Sequence, residues 1–146
     1  MKEIEVLSNL LLAPYIIKAT ALIGKARNVK GNQFRHVLAT FTILFNYKLY
    51  DDYMLLKAAV IHNLLEDVPD TSEEELRNID HQASQVVDLM LEVTRPKGIS
   101  KAYFLKRILE KGSYNARILK MADRISNLTD LHRDNYSRSK MASYLD

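Results

Sequence analysis

The sequence predicts an all-α fold, a single helical bundle, on three observations. Apolar residues recur at helical spacing along most of the chain. Turn residues are scarce, with four glycines and three prolines in 146 residues, too few for a β protein rich in turns. Strong helix formers such as Leu, Ala, Lys, Glu, Arg and Met are plentiful. A chain of this length fits one domain and can bury a real core. No repeat, low-complexity stretch or linker divides it, so residues 1–146 read as one domain.

The elements follow in order. Residues 3–26 are apolar at helical spacing, with a break near Pro14. A polar loop runs from Arg27 to Asn32, and a helix is predicted over 34–47. The next helix covers 53–66 and stops before Pro69, which disfavours helical geometry in the residue ahead of it. Thr71-Ser72-Glu73-Glu74 looks like a capping box opening another helix, with Glu74 three residues after Thr71. Residues 81–93 are helical up to Arg95-Pro96-Lys97-Gly98. Ser100 caps a helix to about residue 111, which Gly112 ends as a C-terminal glycine. Residues 115–131 form the last strongly periodic segment, and the tail after Arg133 adds a turn or two.

Composition narrows the chemistry. Without cysteine there is no disulfide, thiolate nucleophile or Cys-bound zinc, so a metal here needs His, carboxylate or amide oxygen ligands. The net charge of +3 suits an anionic small molecule and is too diffuse to indicate nucleic acid. No apolar run approaches the ~20 residues of a membrane span, and the acids Glu3 and Glu5 stand where a signal peptide carries bases. The expectation is a soluble, cytoplasmic protein with no nucleic-acid or membrane partner.

Three stretches carry the chemistry. In Ala58-Ala59-Val60-Ile61-His62-Asn63-Leu64-Leu65-Glu66-Asp67, a continuous helix sets His62 and Glu66 about 40° apart on one face, with Asn63 and Asp67 beside them. Charged groups beside so apolar a helix need a metal or a phosphate to pair with. In Ile118-Leu119-Lys120-Met121-Ala122-Asp123-Arg124-Ile125-Ser126-Asn127-Leu128, Asp123 and Asn127 share a face. In Gln33-Phe34-Arg35-His36-Val37, one imidazole lies near a helix start. Glu66 and Asp67 also sit at a helix C-terminus, where acids oppose the helix dipole. Taken singly, His36, His62 and the Asp123-Arg124 pair each fit an ordinary structural role, a surface ion pair being worth under ~1 kcal/mol. Their joint order favours a site.

Together these residues resemble the HD superfamily, whose metal site is read as His, then His-Asp, then a distant Asp. His62-Asn63-Leu64-Leu65-Glu66-Asp67 is similar to the His-Asp-x-x-Glu-Asp motif of RelA/SpoT-type (p)ppGpp hydrolases. Lys120-Met121-Ala122-Asp123-Arg124-Ile125-Ser126-Asn127-Leu128 resembles their Lys-Leu-Ala-Asp-Arg-x-x-Asn-Leu motif, and Val93-Thr94-Arg95 their Val-Thr-Lys. The likeness spans about residues 19–131. It implies an HD-type bundle and manganese-dependent release of pyrophosphate from the ribose 3′ position of ppGpp. His36, His62, Asn63 and Asp123 would then hold the metal, with Glu66 and Asp67 handling protons. Arg27, Lys30, Asn127 and Tyr103 would bind the guanine nucleotide, and Lys101 and Arg107 are further candidates for its phosphates. The synthetase half of the long RelA/SpoT enzymes has no counterpart in this sequence, which suits a small stand-alone hydrolase or a piece of a longer chain.

One position departs from the pattern. Asn63 stands where the HD motif carries Asp, and an amide oxygen ligates without negative charge. Metal affinity should fall, and with it the supply of hydroxide at neutral pH. The alternatives left open are a slow hydrolase, a nucleotide-binding sensor without turnover, and an HD hydrolase of another nucleoside phosphate.

Overall fold

The computed structural model of the chain describes residues 2–27 and 31–130. Lys30 and the tail after Arg133 lie outside the described residues. The elements are α1 (Lys2–Asn9), α2 (Ala13–Ala19), a 3-10 turn (Thr20–Gly24), α3 (Gln33–Asn46), α4 (Tyr53–Ile61), α5 (Leu64–Asp67), α6 (Glu73–Arg77), α7 (Ala83–Val93), α8 (Lys101–Lys111) and α9 (Tyr114–Asp130). The all-α expectation holds: no strand occurs among the described residues, and one isolated bridge, Ala26 to Asn32, closes the neck of the polar loop.

The centre of the bundle is α4. Every residue from Leu55 to Ile61 is buried, as expected of a helix with neighbours on all sides. It packs against α2, α3, α7 and α9, while α3 also lies along α9. Asp52 caps α4, its carboxylate accepting from the Met54 and Leu55 amides at 2.9 and 3.3 Å, and its other oxygen takes the Asn115 amide group. That cap ties the start of α4 to the start of α9. Asn32 caps α3 through the Arg35 amide at 3.0 Å, which sets His36 in the first turn.

The break near Pro14 is present, with the proline in the first turn of α2, where its missing N–H costs nothing. Among the described residues no single helix is long and apolar enough to cross a membrane. The bent pair at the N-terminus folds Val6, Leu10, Tyr15, Ala19 and Leu22 into the core.

Three local expectations need correction. The cap of α6 is Ser72, not Thr71: the Ser72 hydroxyl accepts from the Glu75 amide at 3.2 Å, while the Thr71 hydroxyl turns back to the Leu64 carbonyl. Gly112 does end α8, but its φ of −69° is not left-handed. Glycine is needed there because a Cβ would stand 2.5 Å from the Ile108 carbonyl oxygen. Finally, the helix predicted over 53–66 is two helices. It stops at Ile61, turns through His62 and Asn63, and restarts as the single turn α5. The His62 ring explains the break, since its Nδ1 takes the Ala59 carbonyl at 2.6 Å, competing for the acceptor a continuing helix would offer the Asn63 amide. Val68, ahead of Pro69, is extended as predicted.

A second buried polar group lies halfway along α4. Lys57, 3% exposed, donates to Asp80 Oδ2 and Gln82 Oε1, both at 2.9 Å. Asp80 Oδ1 in turn accepts from the Tyr15 hydroxyl and the Gln82 amide at 2.9 Å. Burial pushes the Asp80 carboxyl up, but the bonds from Lys57 and Tyr15 outweigh it and hold the group below its ordinary value. This network fastens α2 and the α6–α7 connection to α4.

Removing one partner strands the other charge, so Asp80→Ala should cost on the order of 3 kcal/mol in chemical denaturation. Because the folded carboxyl titrates below the unfolded one, its contribution is present above about pH 4 and lost as pH falls through the folded value. An Asp80→Asn variant should therefore show a flatter loss of stability below pH 4 than the parent.

Candidate metal centre and anion cleft

Three distant segments meet at one carboxylate oxygen. His36 from the first turn of α3 places Nε2 2.7 Å from Asp123 Oδ1 on α9. His62, carried out of the end of α4, places its Nε2 3.2 Å from the same oxygen. The two rings stand edge to face with centroids 5.5 Å apart. Their ligand atoms and the carboxylate all lie within 4.8 Å of one another, and all three residues are buried. The other Asp123 oxygen receives Lys120 Nζ at 3.2 Å.

The protons on these rings decide what the cluster can hold. His62 Nδ1 faces a backbone carbonyl, which only accepts, so Nδ1 must carry a proton. A neutral His62 then presents a bare lone pair at Nε2 to the Asp123 carboxylate, two acceptors 3.2 Å apart. The contact is favourable only with a positive charge at that point, either a second proton or a cation. His36 Nδ1 is bonded to Ser126 Oγ at 2.9 Å, which lets its Nε2 act in the same way. A partner on each Nδ1 that orients Nε2 is the usual support of metal-binding imidazoles. The donor set therefore fits a divalent cation.

Charge states agree with that fit. Burial holds the His36 imidazole below its ordinary value despite the pull of Asp123, which favours the neutral form that a ligand needs. Burial pushes the Asp123 carboxyl up, but the Lys120 charge and the two imidazoles facing it outweigh that, leaving the group well below the usual carboxylate range.

His36 and Asp123 form the floor of an open cleft of about 420 Å³. Asn63 also lines it, its amide nitrogen donating to Gln33 Oε1 at 3.2 Å. Arg27 and Asn127, a hundred residues apart in sequence, meet on its wall at 2.7 Å. Glu66 and Asp67 stand on the rim, placed there by α5 rather than by the face of a continuous helix. Glu66 Oε1 accepts the Arg95 amide at 2.6 Å. Asp67 is half-buried, and that burial, together with the charge of Glu66, raises its carboxyl above the ordinary value.

Not every sequence candidate arrives. Tyr103 and Arg107 do not line the cleft; Tyr103 is 61% exposed on the outer face of α8. The helical period instead turns Lys101, Phe104 and Leu105 inward. The Lys101 amine is lowered to about 8, mainly by burial and then by the nearby Arg124 and Lys120 charges. Sequence reading assigned no role to Gln33, Arg95, Lys120, Arg124 or Ser126. The signal was partly there, since positions 120, 123, 124 and 127 share one face of α9.

No protein-family model matches the chain. Among curated proteins it is similar to several named guanosine-3′,5′-bis(diphosphate) 3′-pyrophosphohydrolase MESH1. Identity is 30% to the Homo sapiens protein over 118 residues, covering 76% of this chain and 64% of that one. It is 33% to the Drosophila melanogaster protein over 99 residues, covering 66% and 54%. For the Xenopus tropicalis protein it is 31% over 122 residues, covering 79% and 66%. The chain thus spans less than two thirds of the length of these relatives. A solved structure described as a metazoan ortholog of SpoT that hydrolyses ppGpp superposes with a TM-score of 0.77 at 25% identity, over 91% of this chain and 78% of that one.

The Nδ1 partner of His36 gives a direct test of the cation fit. Ser126→Ala should leave the helical content intact and lower divalent-cation affinity by roughly 10- to 100-fold, read by calorimetric titration. An unchanged affinity would remove Ser126 from the centre.

Proposed function

We propose that this chain, which belongs to the HD superfamily and within it to the RelA/SpoT-type hydrolase domains, is a metal-dependent phosphohydrolase of guanosine 3′,5′-bis(diphosphate), releasing pyrophosphate from the ribose 3′ position. The observation that carries the proposal is the cluster of His36, His62 and Asp123, two of which, His36 and Asp123, line a cleft walled by basic side chains. The activity named for the relatives supports the choice of substrate.

In this reading His36, His62, Asn63 and Asp123 would hold one divalent cation, for which the resemblance implies manganese. Such an ion polarises phosphoryl oxygens and makes water a better nucleophile at neutral pH. The chain's own residues do the rest. Arg27 and Asn127, already joined to each other, bind the nucleoside end. Lys101, Lys120, Arg95 and Arg124 draw in the phosphates. Asp67, its carboxyl raised, is the better placed of the two rim acids to take a proton from attacking water. Glu66 holds the Arg95 amide and with it the wall of the cleft. Water attacks the phosphorus on the 3′ oxygen, that P–O bond breaks, and the ribose oxygen leaves protonated.

Asn63 favours a second reading, a nucleotide-binding module without turnover, because it removes a negative charge from the cation site. Incubation with ppGpp and manganese separates the two. GDP and pyrophosphate should appear, and Asp67→Asn should lower the rate by about 10²- to 10⁴-fold. No product from the parent, and none from Asn63→Asp, would leave only the binding reading.

Nucleotide affinity should also depend on pH. The Lys101 amine is charged below about 8 and loses its proton above it, so the dissociation constant should rise as pH passes that value. A bound anion opposes the loss and moves the midpoint upward. In Lys101→Met this inflection should be absent.

A further inference from the structure

Resting on the cation and nucleotide sites proposed above, we infer that this cleft takes up its divalent cation jointly with a polyphosphate, each raising the affinity of the other, and binds the cation poorly alone. The inference comes from the charges gathered at the site. Five basic side chains line the cleft: Arg27, Arg95, Lys101, Lys120 and Arg124. Three carboxylates oppose them, Glu66, Asp67 and Asp123. Among the described residues the lining therefore carries a formal excess of two positive charges before any ion enters.

The carboxylates are also poorly disposed to offset a cation. Only Asp123 faces both imidazoles, and its second oxygen is engaged by Lys120 at 3.2 Å. Glu66 is turned to the Arg95 amide. Asn63, beside the imidazoles, offers an amide held by Gln33 and no charge. A divalent ion arriving alone meets two imidazoles, a neutral amide and a carboxylate already shared with an ammonium. It also doubles the positive excess in a partly buried cleft, where charges are weakly screened.

A nucleotide with diphosphate groups reverses that balance. Its negative charges answer the same five cations and supply oxygens to the ion, so the repulsion that opposes the lone ion disappears. Linkage makes the effect mutual: the factor by which the polyphosphate tightens the cation is the factor by which the cation tightens the polyphosphate. A coupling of about tenfold or more is the expected size.

The test follows manganese binding to the full chain by electron paramagnetic resonance, alone and with GDP plus inorganic pyrophosphate, neither of which has a 3′-diphosphate to lose. The ion bound by these anions in solution is subtracted from a protein-free titration. Weak binding alone, tightened at least tenfold by the anions, is the expected result. Asn63→Asp should strengthen binding of the ion alone and reduce the coupling. Lys101→Met, which removes one positive charge from the cleft lining and none of the proposed ligands, should do the same to a smaller degree. Equal manganese affinity with and without the anions overturns the coupling, and the hydrolase reading survives if ppGpp is still cleaved. Binding of neither ion nor anion sinks both.

Discussion

One oxygen organises this molecule: Asp123 Oδ1, on which the Nε2 atoms of His36 and His62 converge at 2.7 and 3.2 Å. The residues are separated by 61 and 87 positions in the chain, so only the packed bundle brings them together. Each approach depends on a different structural device. The Asn32 cap starts α3 in register to aim His36 inward. Helix α4, buried from Leu55 to Ile61, delivers His62 from its end into the interior. On α9, Leu119 and Ala122 are core residues that turn Asp123 toward both rings.

The break after Ile61 shows how the site and the fold constrain each other. A continuous helix would send residues 62–67 on along the axis of α4. Bonding His62 to the Ala59 carbonyl fixes the proton on Nδ1 at the point where the helix is interrupted. The turn then leads into α5, whose single turn sets Glu66 and Asp67 on the rim of the cleft. Thus one hydrogen bond sets the tautomer of a ligand at the same break that precedes the acids. Its cost is a helix interrupted within the core, which the apolar residues on either side of the break, Ile61 and Leu64, offset by full burial.

Much of this was legible in the sequence, for physical reasons. Apolar period gave the helices, because burial of one face or of all faces leaves a pattern in residue type. The site residues stood out because ionisable groups beside apolar runs have no cheap explanation. What the sequence concealed was side-chain hydrogen bonding over short distances. Ser72 and Thr71 are both good caps, and only the fold decides that Thr71 is needed by Leu64. Tyr103 and Lys101 are two positions apart in a helix, so they face different ways, and composition alone does not tell which one looks inward. Gly112 looked like a left-handed terminator, yet it answers a steric demand from Ile108. Lys30 falls outside the described residues.

The two buried ionic networks along α4 show why one is structural and the other functional. Around Lys57, donors and acceptors match within the protein: the ammonium meets Asp80 and Gln82, and Asp80 is completed by Tyr15 and a backbone amide. That network is closed, so an added ligand has nothing to offer it. Around Asp123 the count does not close without help. His62 spends its Nδ1 proton on Ala59, and its Nε2 then faces a carboxylate whose other partners are His36 on the same oxygen and Lys120 on the far one. Such a network is stable when something from solution completes it, a proton at one extreme and a cation at the other. Both networks hang from one helix a few residues apart, so the rigidity of the closed one holds the open one in place. The inward-facing charge of a small helical domain thus becomes a binding site wherever its own side chains stop short of satisfying it.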